Sequence, residues 1–198
     1  MLRLLVAVFL TVTMAACSSE APLDLTQLEA KARGGDAAAI AQWVDLLASE
    51  NSEVADRSYA ILTEIGAQSV PALLAQVETA DRQQREYVIA ALGTLKVVEA
   101  IPAIGKVLQS SSLKRRYVAA WALGQISDPT VIPLLIDALD DDNSEVRRYA
   151  TRALIKQHKS AVPALIEYLE DARGKAASTG EGAAGAIRVL GDIADPRA

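Results

Sequence analysis

The stretches IPAIGKVLQSSSLKRRYVAAWAL (residues 101–123) and IPLLIDALDDDNSEVRRYATRAL (residues 132–154) decide the fold of this 198-residue chain. Each begins with an aliphatic residue and a proline and continues through an alanine-containing segment to a leucine. The same beginning recurs along the chain, with its prolines at Pro71, Pro102, Pro133 and Pro163. The period is therefore about 30 residues, a size that predicts an array of stacked repeats.

Each repeat is predicted to contain two helices. Proline is tolerated in the first turn of a helix because its missing N–H would have no partner there. Apolar residues follow the prolines at the second and sixth positions, which places them on one helix face. They are Leu73, Ile104, Leu135, Leu165, Val77, Leu108, Leu139 and Leu169. The second helices are rich in alanine, and most are predicted to end at a glycine after the terminal leucine, as at Gly93 and Gly124.

The composition favours an all-α fold. Hydrophobic residues make up 51% of the chain but aromatic residues only 4%, which suits close-packed helices better than a β-sandwich. A segment with Ala41 in the proline position is predicted as a first repeat, preceded by a helix from Thr26 to Arg33. The sequence therefore predicts a right-handed α-solenoid of five two-helix units within a domain over residues 25–198. The units are 39–69, 70–100, 101–131, 132–161 and 162–195.

Two motifs carry a family resemblance: RYVAAWALG (residues 116–124) and VRRYATRAL (residues 146–154). Both are similar to the consensus of short HEAT-like repeats first recognised in phycobilin lyases. The resemblance implies a structural role for a recurrent arginine, beside the structural role that their place in the first helical turn predicts for the four repeat prolines. That arginine corresponds to Arg85, Arg116 and Arg147. Only Asp141, which precedes Arg147, occupies the position of its acidic partner, so a continuous Asp–Arg ladder is not expected.

The N-terminal segment predicts an export signal. Arg3 precedes an apolar run from Leu4 to Met14, which is too short for a membrane-spanning helix. Met14-Ala15-Ala16-Cys17 resembles the lipobox of bacterial lipoproteins. The resemblance implies a signal peptide over residues 1–16, acylation of Cys17 and a tether over residues 17–24. An ordinary secretory signal with a chance cysteine is the alternative.

The same segment predicts where the protein resides. Two or three acyl chains at Cys17 would anchor it stably to a lipid bilayer. By analogy with lipoproteins, Ser18 implies sorting to the outer membrane, with the protein facing the periplasm. The net charge of −5 argues against non-specific nucleic-acid binding.

Motifs that could carry chemistry favour neither a cofactor nor a metal. Residues 180–185 form G-x-G-x-x-G, but a dinucleotide site needs a preceding strand, and residues 171–182 are predicted instead to be an inserted connection. His158 is the only histidine and has no second ligand to complete a zinc site. The acidic run over residues 140–143 lacks the glycine and distant glutamate of a calcium loop and is predicted to cap a helix.

A candidate partner-binding surface lies on the second helices, which usually line the inner face of HEAT-like arrays. Tyr117 and Trp121 are one helical turn apart and share a helix face, as do Arg148 and Arg152. Arg188 occupies the corresponding position in the fifth unit. Stacking would place the two pairs side by side, and aromatic and arginine side chains together are typical of binding hot spots. The alternative is that Trp121 packs between repeats.

These observations favour a lipid-anchored periplasmic scaffold for protein–protein interactions that is not an enzyme. Stacked helix pairs offer an extended surface for a protein partner, whose identity the sequence does not specify. No nucleophile–base pair is evident. The first alternative is a bilin-lyase-like enzyme, which the family resemblance permits. The second is a structural envelope protein that self-associates through its open C-terminal repeat.

Overall fold

The computed structural model describes residues 24–78, 82–110, 115–174 and 180–194. The predicted signal peptide, most of the tether and the acylation site Cys17 lie outside the described residues. Within the described ranges, all regular secondary structure is helical. None of the helices there combines the length and the apolar character that crossing a bilayer requires.

The described residues form eleven α-helices in chain order. They are α1 Leu25–Arg33, α2 Ala37–Asp45, α3 Ser52–Ile65, α4 Val70–Gln76, α5 Arg82–Thr94, α6 Ile101–Leu108, α7 Tyr117–Gln125, α8 Val131–Asp137, α9 Ser144–Lys156, α10 Val162–Gly174 and α11 Gly180–Ile193. Helix α1 precedes five pairs, from α2–α3 to α10–α11. This arrangement confirms the predicted all-α solenoid of five two-helix units.

The core lies between a layer of first helices and a layer of second helices. In the second layer, α3, α5, α7, α9 and α11 each pack against the next helix in that order. The predicted apolar stripe of the first helices is fully buried at Leu73, Ile104, Leu135 and Leu165. The opposite layer buries Leu92, Leu123 and Leu154. Burial of one such leucine contributes roughly 2–3 kcal/mol, so the repeated stripe accounts for the stacking.

The repeat prolines begin the first helices. Pro71, Pro102 and Pro163 are the second residues of α4, α6 and α10, and Pro133 is the third residue of α8. All four side chains are exposed. Their contribution is therefore conformational, because proline restricts φ to a helical value at a position where no N–H is needed.

The prediction that Gly93 and Gly124 end their helices is wrong. Gly93 lies inside α5 and Gly124 inside α7. A β-carbon at Gly93 would lie 2.7 Å from the Cα atom of Ala122, and one at Gly124 would lie 2.5 Å from the Cβ atom of Ala153. Both glycines thus let consecutive second helices approach closely. Among the described residues, the glycine after a terminal apolar residue ends its helix only at Gly66, where φ is 67°.

The recurrent arginines bind different partners. The guanidinium of Arg116 binds the carboxylate of Asp141 in the next repeat through contacts of 2.9–3.1 Å. Arg147, whose acidic partner was expected to be Asp141, donates instead to the carbonyl oxygen of that residue at 2.7 Å and forms an ion pair with Glu181 on α11. Arg85 donates to the backbone carbonyl of Glu78 at 3.4 Å.

The fifth unit departs from the predicted insertion over residues 171–182. Helix α10 continues to Gly174, and α11 already begins at Gly180; residues 175–179 lie outside the described ranges. A β-carbon at Gly182 would lie 2.1 Å from Oδ1 of Asp140 and 2.5 Å from the hydroxyl of Tyr168. Part of the glycine motif therefore serves helix packing.

Candidate functional site

The candidate site lies on the side of the second helices that faces away from the first helices. We call this side the second-helix face. It carries two open grooves, one between α7 and α9 and one between α5 and α7. The α7–α9 groove has a volume of about 320 Å³. Its walls are formed by Trp121, Gly124, Tyr149, Arg152, Ala153 and Lys156. Because Gly124 and Ala153 lack bulk, α7 and α9 approach closely at its floor.

Tyr149 is the centre of the α7–α9 groove. Its ring stacks on Tyr117 with the ring centres 5.3 Å apart and the planes inclined by 19°. The guanidinium carbons of Arg148 and Arg152 lie 4.9 Å and 5.9 Å from the centre of the Tyr149 ring. Offset aromatic stacking and cation–π contacts are each worth about 0.5–1.5 kcal/mol. Tyr149 therefore holds both arginines next to the aromatic surface.

The structure brings together four of the five residues predicted for partner binding. Tyr117 and Trp121 lie beside Arg148 and Arg152, as the helical spacing indicates. Trp121 is half-buried; it packs against the core and also lines the groove. Arg188 is exposed on α11 and does not line this groove. The binding role of these residues stays a prediction.

The charges of the α7–α9 groove are partly uncompensated. Arg148 pairs with Glu145, which raises the pKa of that guanidinium above its ordinary value. Lys156 Nζ donates to the amide oxygen of Gln125 at 2.9 Å. Arg152 has no carboxylate partner among the described residues. The groove thus offers free positive charge beside exposed aromatic surface.

The α5–α7 groove is a second site that the sequence reasoning missed. It has a volume of about 570 Å³ and is lined by Gln83, Glu86, Tyr87, Ala90, Arg115 and Val118. Nη1 of Arg115 lies 2.8 Å from the Glu86 carboxylate, and Nε of Arg115 donates to the Tyr117 hydroxyl at 3.2 Å. The Tyr87 hydroxyl donates to Asp56 at 2.9 Å, and this bond raises the pKa of Tyr87.

A sequence pattern could have identified the missed tyrosines. Tyr87 and Tyr149 are separated by two full repeats. They therefore occupy one repeat position on α5 and α9, next to Glu86 and Arg148. No arginine stands one repeat before or after Arg115, so the repeat pattern does not single this residue out. Its contacts depend on how α5 and α7 pack together.

The residues considered for metal binding serve helix ends and packing. Asn143 caps α9 by accepting from the N–H of Glu145 at 2.9 Å. Asp140 accepts from the Tyr168 hydroxyl at 2.7 Å. His158 is exposed and has a left-handed φ of 50° at the end of α9. Among the described residues, no three acidic, histidine or cysteine side chains are grouped as metal ligands would be.

The repeats and their packing define the class of protein. A family model described as HEAT repeats matches residues 70–156 and 101–181, which together cover more than half of the chain. The chain belongs to the HEAT-repeat family.

Two curated relatives make the similarity more specific. The chain is 45% identical over 73 residues to the phycocyanobilin lyase subunit alpha of Nostoc sp., and the match covers 32% of this chain and 26% of the relative. It is 44% identical over 73 residues to the protein of the same name from Microchaete diplosiphon, covering 32% and 25%. The chain thus matches about a quarter of the length of these curated relatives.

Solved structures share the fold. A chain from the complex of CpcE and CpcF of phycocyanin lyase from Nostoc sp. superposes with a TM-score of 0.63 at 18% identity, covering 78% of this chain and 99% of that chain. A chain from the Kap95:Nup1 complex gives a TM-score of 0.53 at 18% identity, covering 88% of this chain and 25% of that chain. At these identities the likeness establishes the fold alone.

These relatives correct the functional prediction. The expectation of a non-catalytic scaffold is contradicted, because the curated relatives are lyase subunits and the CpcE–CpcF complex belongs to a phycocyanin lyase. That neighbour is a complex of two proteins. The predicted lipid anchor and envelope location stay predictions.

Proposed function

We propose that this chain is a bilin-lyase-like subunit that binds a bilin in the α7–α9 groove and works with a protein partner. The similarity to phycocyanobilin lyase subunits supports the ligand class. The observation that carries the proposal is the convergence of aromatic and cationic side chains on one groove. Trp121, Tyr149, Arg152 and Lys156 line the groove, and Arg148 lies against the ring of Tyr149.

The chemistry of a bilin matches this groove. A bilin is an open-chain tetrapyrrole, with a conjugated system that can stack on aromatic rings and with propionate carboxylates. Trp121 and the exposed edge of Tyr149 provide the aromatic surface. The guanidinium of Arg152 provides charge-assisted hydrogen bonds to a carboxylate, which are stronger than neutral ones. The groove volume of about 320 Å³ is at the lower end of typical ligand pockets, which span about 300–1,000 Å³, so part of the ligand would extend along the second-helix face.

The role of this chain in the reaction is binding and orientation. Among the described residues, no cysteine is present, and His158 is not one of the residues that line the groove. A cationic groove holds the carboxylates of the bilin in one place, which limits the orientations of its reactive carbons. The partner protein would provide the remaining contacts.

Tryptophan fluorescence tests this proposal. The chain has two tryptophans, and Trp43 is fully buried with an indole N–H that has no partner among the described residues. Trp43→Phe removes that donor and leaves Trp121 as the only indole. Addition of phycocyanobilin should quench Trp121 in a saturable manner.

Two matched variants locate the site. Arg152→Ala should weaken phycocyanobilin binding about tenfold. Arg188→Ala, at the corresponding position of the next unit, should leave binding unchanged. Equal losses in both variants, or no saturable quenching, would overturn the proposal.

We also propose, from the N-terminal sequence, that the chain is exported and acylated at Cys17 at the outer membrane. The lipobox-like residues 14–17 support this location. Labelled palmitate should be incorporated into the wild-type protein and not into Cys17→Ser, and globomycin should block processing. An unlabelled cytoplasmic product would contradict the anchor without affecting the bilin proposal.

We also propose that two copies of this chain associate through helix α11. Ile187 is 62% exposed there, and the position of Gly191 has no atom within 4 Å of a built β-carbon. The equivalent glycines on α5 and α7 contact the next second helix. Ile187→Lys should therefore convert a dimer into a monomer in sedimentation experiments, and a wild-type monomer would exclude this contact.

A further inference from the structure

One repeat position carries three different residues on consecutive second helices. Ala90, Trp121 and Arg152 occupy this position on α5, α7 and α9. Trp121 and Arg152 line the α7–α9 groove, whereas the methyl group of Ala90 leaves space beside it. The α5–α7 groove at this place has a volume of about 570 Å³, within the range of about 300–1,000 Å³ typical of ligand pockets.

The α5–α7 groove combines an apolar floor with a polar rim. Ala90 and Val118 are half-buried and line the apolar part. Arg115 crosses between the two helices, because it pairs with Glu86 on α5 and donates to Tyr117 on α7. A groove with an apolar floor and with a tyrosine and an arginine at its rim contains two of the residue types that are enriched in protein-binding hot spots.

The electrostatics of this groove differ from those of its neighbour. The charge of Arg115 is compensated by Glu86. Asp56 on α3 is not part of the groove lining but lies beside it, because its carboxylate accepts a hydrogen bond from the hydroxyl of the lining residue Tyr87. No cation pairs with that carboxylate among the described residues. The α7–α9 groove differs, since the unpaired positive charge of Arg152 lies in its own lining.

We propose that the α5–α7 groove is a docking site for a basic polypeptide segment of a protein partner. An aliphatic or aromatic side chain of that segment enters the space beside Ala90, and an adjacent lysine or arginine lies against Asp56. Charge complementarity favours such a segment over an acidic one. The two grooves lie on either side of α7, so a basic polypeptide and an anionic ligand can bind at the same time.

That the partner takes part in a reaction of a bilin rests on the proposed function. The docking site itself rests on the geometry of the groove. Fluorescence anisotropy of the full chain with short labelled peptides tests it directly. The peptides carry a central phenylalanine flanked by lysines, the same phenylalanine flanked by glutamates, or a central serine flanked by lysines. The first peptide should bind saturably and the other two at least about tenfold more weakly.

Substitutions in the groove identify the site. Ala90→Trp copies the residue that α7 has at the equivalent position and fills the space, so binding of the phenylalanine–lysine peptide should fall at least about tenfold. Ala184→Trp on the exposed side of α11 is the matched control and should bind like wild type. Asp56→Asn should weaken the same peptide about two- to fivefold, the effect of an exposed ion pair.

The outcomes separate this proposal from the bilin proposal. Equal binding of the lysine and glutamate peptides, wild-type binding by Ala90→Trp, or no saturation up to about 1 mM would overturn the docking site. Bilin binding by Ala90→Trp is followed by phycocyanobilin absorbance, because the added indole would overlap with the fluorescence of Trp121. An unchanged absorbance titration together with lost peptide binding assigns the two ligands to different grooves.

Discussion

Gly124→Ala should destabilise the solenoid although alanine is the better helix former. Gly124 lies inside α7, where alanine would favour the helix by about 1 kcal/mol. The new methyl group, however, would lie 2.5 Å from the Cβ atom and 2.9 Å from the Cα atom of Ala153 on α9. These atoms cannot rotate away, so α7 and α9 must separate. Overpacking costs typically about 1–3 kcal/mol, and a contact this short belongs at the upper end. The expected net loss is about 2 kcal/mol.

Gly191→Ala is the matched control. Gly191 follows the terminal leucine of α11 just as Gly124 follows that of α7, but a β-carbon there meets no atom within 4 Å. Its substitution should therefore stabilise the protein by about 0.5–1 kcal/mol. Urea unfolding followed by helical circular dichroism measures both variants. A Gly124→Ala protein as stable as wild type, or as stable as Gly191→Ala, would refute the argument that close helix approach requires glycine.

Three further predictions concern the contacts between repeats. Asp141→Ala leaves the Arg116 guanidinium, only 10% exposed, without its carboxylate and should cost about 3 kcal/mol in urea unfolding; a loss below about 1 kcal/mol would contradict it. Asp56→Asn should lower the pKa of Tyr87 in an ultraviolet titration, because Asp56 raises it. Since that pKa is raised in the folded protein, the Tyr87–Asp56 bond stabilises the fold below a pH of about 10, and this stabilisation is lost as the pH rises further. Leu123→Ala should lower the free energy of unfolding by about 2–5 kcal/mol in the same assay. A smaller loss would contradict this prediction and would show that neighbouring side chains fill the cavity.

The functional prediction failed for an identifiable reason. The sequence contains one cysteine and one histidine, and the missing nucleophile–base pair pointed away from an enzyme. A subunit that binds and orients a ligand needs neither residue. It needs a surface, and the surface around Tyr149 exists only where α7 and α9 stack. Tyr117, Trp121, Arg148 and Arg152 could be predicted to lie together because helical spacing and the repeat period place them on one side.

The sequence by itself determined the architecture. The regular recurrence of the aliphatic–proline pair, the prolines in the first turn and the apolar stripe specify two helices per unit, because each pattern acts locally or between adjacent units. It also determined the register of the repeats, and therefore that Ala90, Trp121 and Arg152 occupy one position. These inferences require no knowledge of how closely the helices approach.

Tertiary structure alone decided the distances between repeats and the partners of the charged groups. Gly93 and Gly124 resemble helix ends in sequence, but Lys96 takes the left-handed φ of 55° after α5, and the glycines serve contacts between helices. The carboxylate of Asp141 binds Arg116 of the preceding repeat, and the side chain of Arg147 donates to the backbone carbonyl of Asp141. The physical reason is that close approach and ion pairing depend on the relative placement of second helices in different repeats, which packing across the whole interface determines.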